Sequence, residues 1–228
     1  MVDLTASTQS DLAELVNSSV AKSGEVIAAE FQSNGRGRLD RTFEAPPQSA
    51  LLFSFYVAPK RARSDWSFIS FLAALAMHEV ITENLVENAS LKWPNDILIG
   101  DKKVAGLLAQ QIGDGVIIGI GLNVAMGADE LPVPTATSLA VAGSNDLDRN
   151  LLFSAFLNRF ESIFNEWDSG SDFLEKYREV SSTLGRQVRV EVLGRESIEA
   201  QAVSITAQGA LILSDGTEVN VGDVVHLR

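Results

Sequence analysis

The chain has 228 residues, 46% of them hydrophobic and 21% charged, and no cysteine. That is enough chain for one sizeable domain with a small appendage, and it excludes a disordered or fibrous polymer, a disulfide framework, thiolate metal sites and a covalent cysteine intermediate. Eighteen Lys+Arg against 30 Asp+Glu give a formal charge of -12, the wrong sign for coating nucleic acid or anionic lipid, although a local basic site is compatible with it.

The N-terminus has no basic segment followed by an apolar one, and apolar runs such as Phe71 to Met77 are too short to span a bilayer. A cytoplasmic protein with no membrane or nucleic-acid partner is expected. Leu12, Leu15 and Val16 have helical spacing and Ser10 can cap them, so a short helix is expected over Asp11–Val20, after the polar segment Ser7-Thr8-Gln9. Glu25–Phe31 and Ala50–Val57 read as strands. Between them lies Gln32–Pro47, rich in Gly, Arg and Pro, a loop long enough to suggest function or mobility. Ser64-Asp65 can cap a long helix running toward Glu87, with Trp66, Ile69, Leu72, Leu75 and Ala76 along one stripe. Leu91–Ile99, Lys103–Gln111 and Gly115–Val124 then read as three strands joined by short hairpin connections. Such a run argues against a doubly wound sheet. Helices are expected over Asp148–Trp167 and Asp172–Val180. From Leu184 the chain breaks into short β-like runs, QVRVEVL, SIEAQAVSI, ALILSD and EVNVGDVVHL, punctuated by glycines. The expected fold class is α+β, a mixed and largely antiparallel sheet with flanking helices over residues 1–181, followed by a small β-barrel over 182–228.

Three segments carry chemistry. In Gln32–Arg41, Arg36, Arg38 and Arg41 stand in a loop whose Gly35 and Gly37 let the backbone approach a ligand closely, a composition suited to phosphate or carboxylate. It is not a P-loop, because no Gly-Lys-Ser/Thr follows. In Leu91-Lys-Trp-Pro-Asn-Asp96, Pro94 removes a ladder donor, which puts the segment at a strand end or bulge with Asn95 and Asp96 available. In Asp101–Leu108, Lys103 is expected on the strand face of Ala105 and Leu107, a cation entering apolar surroundings that an anionic ligand would relieve, with Lys102 on the other face. Every anion-handling residue in this reading precedes Asn123; the tail offers only Arg186, Arg189 and Arg195 and is expected to support the site from outside. His78, His226, Trp66 and Trp167 read as structural.

Together GRGRLDR, KWPND, DKKVAGLL and GIGLNVAM resemble the biotin protein ligases, over essentially the whole chain. The resemblance implies a catalytic domain like those of class II synthetases with an SH3-like C-terminal barrel. It further implies a short type without a DNA-binding domain, either monomer or homodimer. It implies a two-step reaction in which biotin and ATP with Mg2+ form biotinyl-5'-AMP, and a lysine of a biotin carboxyl carrier domain then takes the biotin. By matching positions it implies Lys103 and Arg38 as the catalytic cations. Biotin would be held by Ser7, Thr8, Gln9, Gln32, Gly35, Arg36, Gly37, Arg38, Lys103, Gly106 and Gly119. The nucleotide would be held by Arg38, Arg41, Phe43, Trp93, Asn95, Asp96 and Asn123, with Asp96 as the magnesium ligand. Three residues depart from the family pattern: Gln9 replaces Asn, Asp40 replaces Gly, and Phe43 replaces Trp. A lipoate ligase lacks KWPND, and a biotin-binding module without turnover has no need of Lys103 and the Arg loop.

Overall fold

In a computed structural model of the chain, residues 1–38, 41–84, 89–192, 194 and 196–227 are described. Asp40, Glu87 and Arg195 therefore lie outside the described residues. A seven-stranded sheet is built from β1 (Val2–Thr5), β2 (Val26–Gln32), β3 (Ala50–Val57), β4 (Ala89–Lys92), β5 (Asp96–Ile99), β6 (Lys102–Ile112) and β7 (Gly115–Asn123), in the spatial order β1-β2-β3-β7-β6-β5-β4. Only β1 runs parallel to its neighbour. The five other pairings of this sheet are antiparallel, as the short connections of its hairpins require.

Strand β3 is buried at all eight positions because both its faces are covered. On one face Phe53 and Phe55 pack edge-on or tilted against Phe156 and Phe160 of α3 (Arg149–Asp168). Helix α2 (Ile69–Glu83), entered through a 3-10 turn over Arg63–Phe68, packs beside α3 on that face. On the other face α1 (Thr8–Asn17) sets Leu12 against Tyr56 and Ile117. The short α4 (Leu174–Glu179) leads into the C-terminal strands β8 (Gln187–Glu191), β9 (Ile198–Ile205), β10 (Leu211–Leu213), β11 (Glu218–Val219) and β12 (Asp223–His226), an antiparallel five-stranded sheet in the order β11-β10-β9-β8-β12. Before it, the connecting segment lies along the outer edge of β4. Leu91 N donates to the Val180 carbonyl and Ser182 N to the Leu91 carbonyl, both at 2.8 Å. Among the described residues no helix is long and apolar enough to cross a membrane.

Three local expectations are corrected. Helix α1 begins at Thr8, three residues early, because Ser7 rather than Ser10 is its N-cap, accepting from Ser10 N at 3.4 Å. The expected strand Leu91–Ile99 is a hairpin instead, since Trp93–Asn95 form a turn between β4 and β5 and Lys92 pairs with Asp96. Most consequentially, Lys103 does not share a face with Ala105 and Leu107. The register shifts so that Leu98 opposes Lys103 while Ile97 opposes Ala105, which leaves Val104 as an extra residue. Val104, Ala105 and Leu107 all join the core, whereas Lys103 comes out on the side of Gly106. A bulge re-aims a side chain in this way, and here it turns an ammonium out of the core.

Candidate active site

The face of the sheet that carries α1 is hollow beyond the helix N-terminus. Alternation along β7 puts Gly119, Gly121 and Asn123 on this face and their apolar neighbours in the core. Missing side chains make the room. A Cβ at Gly106 would stand 2.8 Å from Lys103 Nζ, and one at Gly121 would stand 2.6 Å from the Phe43 ring. The resulting cavity of about 230 Å3 opens toward a wider cleft of about 830 Å3, and Arg41, Phe43, Lys92, Asp96 and Lys103 line both.

The inner end is polar and tightly ordered. The Ser7 cap places Thr8 and Gln9 in the first turn of α1, where both are almost fully buried. Gln32 Oε1, at the end of β2, accepts from Thr8 N at 2.8 Å and from Thr8 Oγ1 at 3.1 Å, and the Ser54 hydroxyl lies 2.8 Å from Thr8 Oγ1. Gln9 Nε2 is buried with no hydrogen-bond partner among the described groups. Such a donor costs roughly 1–3 kcal/mol unless a ligand supplies an acceptor.

The Arg loop folds over this end. Arg36 bridges to Thr42, Gly37 N donates to the Arg41 carbonyl at 2.7 Å, and Phe43 N donates to the Gly35 carbonyl at 3.1 Å. Gly37 and Arg36 border the inner cavity, and Gly35 is buried behind Phe43. Arg38 is 20% exposed, and burial lowers its pKa against the opposing pull of Asp223 and Asp96. Lys103 Nζ meets Asp96 Oδ1 at 2.6 Å, where the cavity and the cleft join. Asn95 Nδ2 donates to the Leu107 carbonyl at 2.8 Å, which fixes its amide at the cavity wall, and Asn123 Nδ2 to the Thr137 carbonyl at 2.9 Å, which fixes that amide at the cleft wall. Trp93 borders the cavity, but its indole is 1% exposed and donates to the Gly209 carbonyl of the C-terminal sheet at 2.9 Å.

The structure thus brings every expected site residue to one region, with Gly35 just behind its wall. It also adds residues that sequence reasoning missed. Lys92, the first letter of KWPND, lines both spaces, and burial lowers its pKa despite Asp96 nearby. Ser54 is the one aliphatic hydroxyl in the apolar run ALLFSFYV, a signal that was there to be read. Glu191, Asp223, Arg186 and His226 arrive from the C-terminal strands and their approach, so residues past Asn123 also line the two spaces. Six of the chain's 18 Lys+Arg line the two spaces, against five of its 30 Asp+Glu, so an acidic protein is locally cationic here. For a divalent cation the donor set is sparse. Among the described residues no three His, Cys, Asp or Glu side chains converge, and the buried Asp96 Oδ1 is met by the Lys103 ammonium at 2.6 Å. One carboxylate suits a magnesium ion that arrives on a polyphosphate and keeps its waters.

Comparison with known proteins points the same way. A model of the biotin/lipoate A/B protein ligase family matches residues 1–123, and one described as the biotin protein ligase C terminal domain matches residues 183–227. The chain is 36% identical to the biotin--[acetyl-CoA-carboxylase] ligase of Mycobacterium tuberculosis, over 100% of this chain and 88% of that protein. Among solved structures it resembles the biotin protein ligase of Aquifex aeolicus in complex with biotin and ATP, at a TM-score of 0.83 and 28% identity, over 100% and 97% of the two chains. It also resembles the biotin protein ligase of Leishmania major in complex with biotinyl-5-AMP, at 0.69 and 25%, over 100% and 97%.

Proposed function

The chain belongs to the biotin/lipoate A/B protein ligase family, and from that membership and the chemistry of the cleft we infer that it is a biotin protein ligase. It activates biotin with ATP to biotinyl-5'-AMP and passes the biotin to a lysine of a biotin carboxyl carrier domain. The observation that carries this reading is the junction at Lys103, where a buried, hydrogen-bonding pocket meets a cationic cleft.

The bicyclic ring of biotin lies at the inner end, against Ser7, Thr8, Gln9, Gln32 and Gly119, and its ureido oxygen satisfies the buried Gln9 donor. The valeryl chain runs past Gly106 beneath the Gly35–Arg38 loop, which brings the carboxylate to Lys103. Phe43, Asn95, Asp96 and Asn123 line the nucleotide side, with Arg41 at its rim and Trp93 tying that wall to the C-terminal sheet. A carboxylate oxygen attacks the α-phosphorus, the bond to the β-phosphate breaks, and pyrophosphate leaves. Two anions must be brought together for this, and the Lys103 ammonium and Arg38 guanidinium offset their repulsion and the charge developing on the phosphate. Asp96 would hold Mg2+, which when bound neutralises polyphosphate charge. The carrier amine then attacks the acyl carbon and AMP leaves. No side chain forms a covalent bond to substrate, so a chain without cysteine is fully equipped. We assign residues 1–181 to the catalytic unit and 182–228 to a unit that completes the cleft wall.

Incubation with labelled biotin, MgATP and a purified carrier domain, with excess lipoate in a parallel tube, tests the reading. Label on the carrier that lipoate does not suppress is the expected result; no label on the carrier, or label that excess lipoate abolishes, would overturn it.

A further inference from the structure

Among the described residues the C-terminal sheet bonds to the Arg loop at the start of β12. Asp223 Oδ2 lies 2.8 Å from Arg41 Nη2, and Asp223 Oδ1 lies 4.0 Å from Arg38 Nε. Arg38 Nη2 donates to the Gly222 carbonyl at 3.1 Å, across 184 residues of sequence. The Asp223 side chain is only 15% exposed, and its Oδ2 is buried with no contact but the ion pair.

The two arginines are held differently. Arg41 is 67% exposed and pairs with the carboxylate at close range. Arg38 is oriented by the carbonyl on one side, stands farther from Asp223, and borders the cavity. A bare carboxylate beside a phosphate site would repel the ligand. Paired with Arg41 it is neutralised, and it anchors a glycine-flanked loop that its own positive charges would otherwise push apart.

We propose that Asp223 is a positioning residue for the adenylation site: the Arg41–Asp223 pair clasps the Arg loop to β12 and thereby fixes Arg38 over the phosphate of the acyl adenylate. This rests on the reading above and adds that retention of the intermediate depends on the C-terminal sheet. Ordering the loop through an internal ion pair lowers the cost that ligand binding would otherwise carry.

The test is an adenylate chase. Full-length protein is loaded with labelled biotin and MgATP, unlabelled biotin is added in excess, and release of labelled adenylate is followed. Asp223→Asn and Arg41→Gln should each release it about tenfold faster, with a smaller change in its rate of formation. The double variant should be no faster than either single one, and the swap Arg41→Asp with Asp223→Arg should recover retention. Release at the wild-type rate in both single variants, multiplying effects in the double one, or a swap no better than the double variant would each overturn the proposal. Should Asp223→Asn not fold, Asp223→Glu takes its place with faster release again expected, because Arg41→Gln also removes a group at the nucleotide rim. A wild-type protein that forms no adenylate from biotin would instead defeat the functional reading itself.

Discussion

Lys103 and Lys102 are adjacent, alike in sequence, and opposite in situation. The bulge at Val104 delivers Lys103 to the cavity, 2.6 Å from Asp96, while Lys102 is exposed. Lys103→Ala should therefore lower adenylate formation by about 100-fold or more with the fold intact, the scale on which a donor aimed at transition-state charge acts. Lys102→Ala should leave the rate within about twofold. Single-turnover assays of adenylate formation on both variants check the assignment, and equal losses would show that the wrong lysine has been chosen. On the proposed reading Arg38 would also retain the intermediate, because a mixed anhydride reacts with any amine it meets. Arg38→Gly removes one charge-assisted contact, about 2 kcal/mol or roughly thirtyfold in off-rate, while Lys103 and the neighbouring arginines persist. Bystander proteins without a carrier domain should become biotinylated. A variant that makes adenylate yet labels none of them would transfer the role to Arg36.

Among the elements, β6 and β7 show how much a strand's missing side chains accomplish. The run Gly119, Gly121, Asn123 was legible in the sequence as a motif, and period-two alternation explains it, since all three face the cavity. The bulge in β6 was not legible. It depends on how Ile97 and Leu98 pair across the ladder, and no residue within Lys102–Leu108 announces that register. The start of α1 was misread for a related reason. Ser7 and Ser10 are equally good caps locally, and the choice falls to Ser7 because only then do Thr8 and Gln9 reach Gln32 and Gly119. Contacts with Asp223 join segments more than 180 residues apart, beyond any local pattern. At Gly106 the backbone tolerates an ordinary residue, but an added methyl would press on the Lys103 ammonium from 2.8 Å. Gly106→Ala should thus fold with nearly wild-type stability, because the end of a flexible chain can yield, and lose about tenfold in adenylation rate as the ammonium is displaced. Parallel thermal melts and rate measurements separate the two effects.

For the whole molecule, the joint between the two sheets carries a pH dependence. His226 Nε2 lies 3.1 Å from Thr183 Oγ1, which also accepts from Trp93 N at 3.0 Å. Burial, with Lys92 and Arg186 nearby, pushes the His226 pKa down to about 4. Burial also lowers that of His78, whose Nε2–H donates to the Ala89 carbonyl at 2.9 Å. Both imidazoles are thus harder to protonate in the folded protein, and as pH falls through about 6.5 the unfolded chain binds more protons than the native one. Stability is then fully present above that pH and lost as pH falls toward 4. The slope is at most about 1.4 kcal/mol per pH unit for each group, and less for the partly exposed His226. Urea midpoints measured from pH 7.5 down to 5 should fall, and the fall should be shallower in His226→Gln; an equal slope in that variant would assign the effect elsewhere.

The segment that lies along β4 has a consequence in time. Synthesis runs from the N-terminus, so Leu91 leaves the ribosome 91 residues ahead of Ser182, which accompanies Val180 in bonding to it. At roughly 5–20 residues per second the outer edge of β4 waits about 5–20 seconds for its last partner. Throughout that wait a nascent chain presents unpaired backbone groups to its neighbours on a polysome, the kind of edge on which strands from other molecules assemble. Translation pauses that fall between these two segments lengthen the exposure, and chains released within it keep the edge open for good.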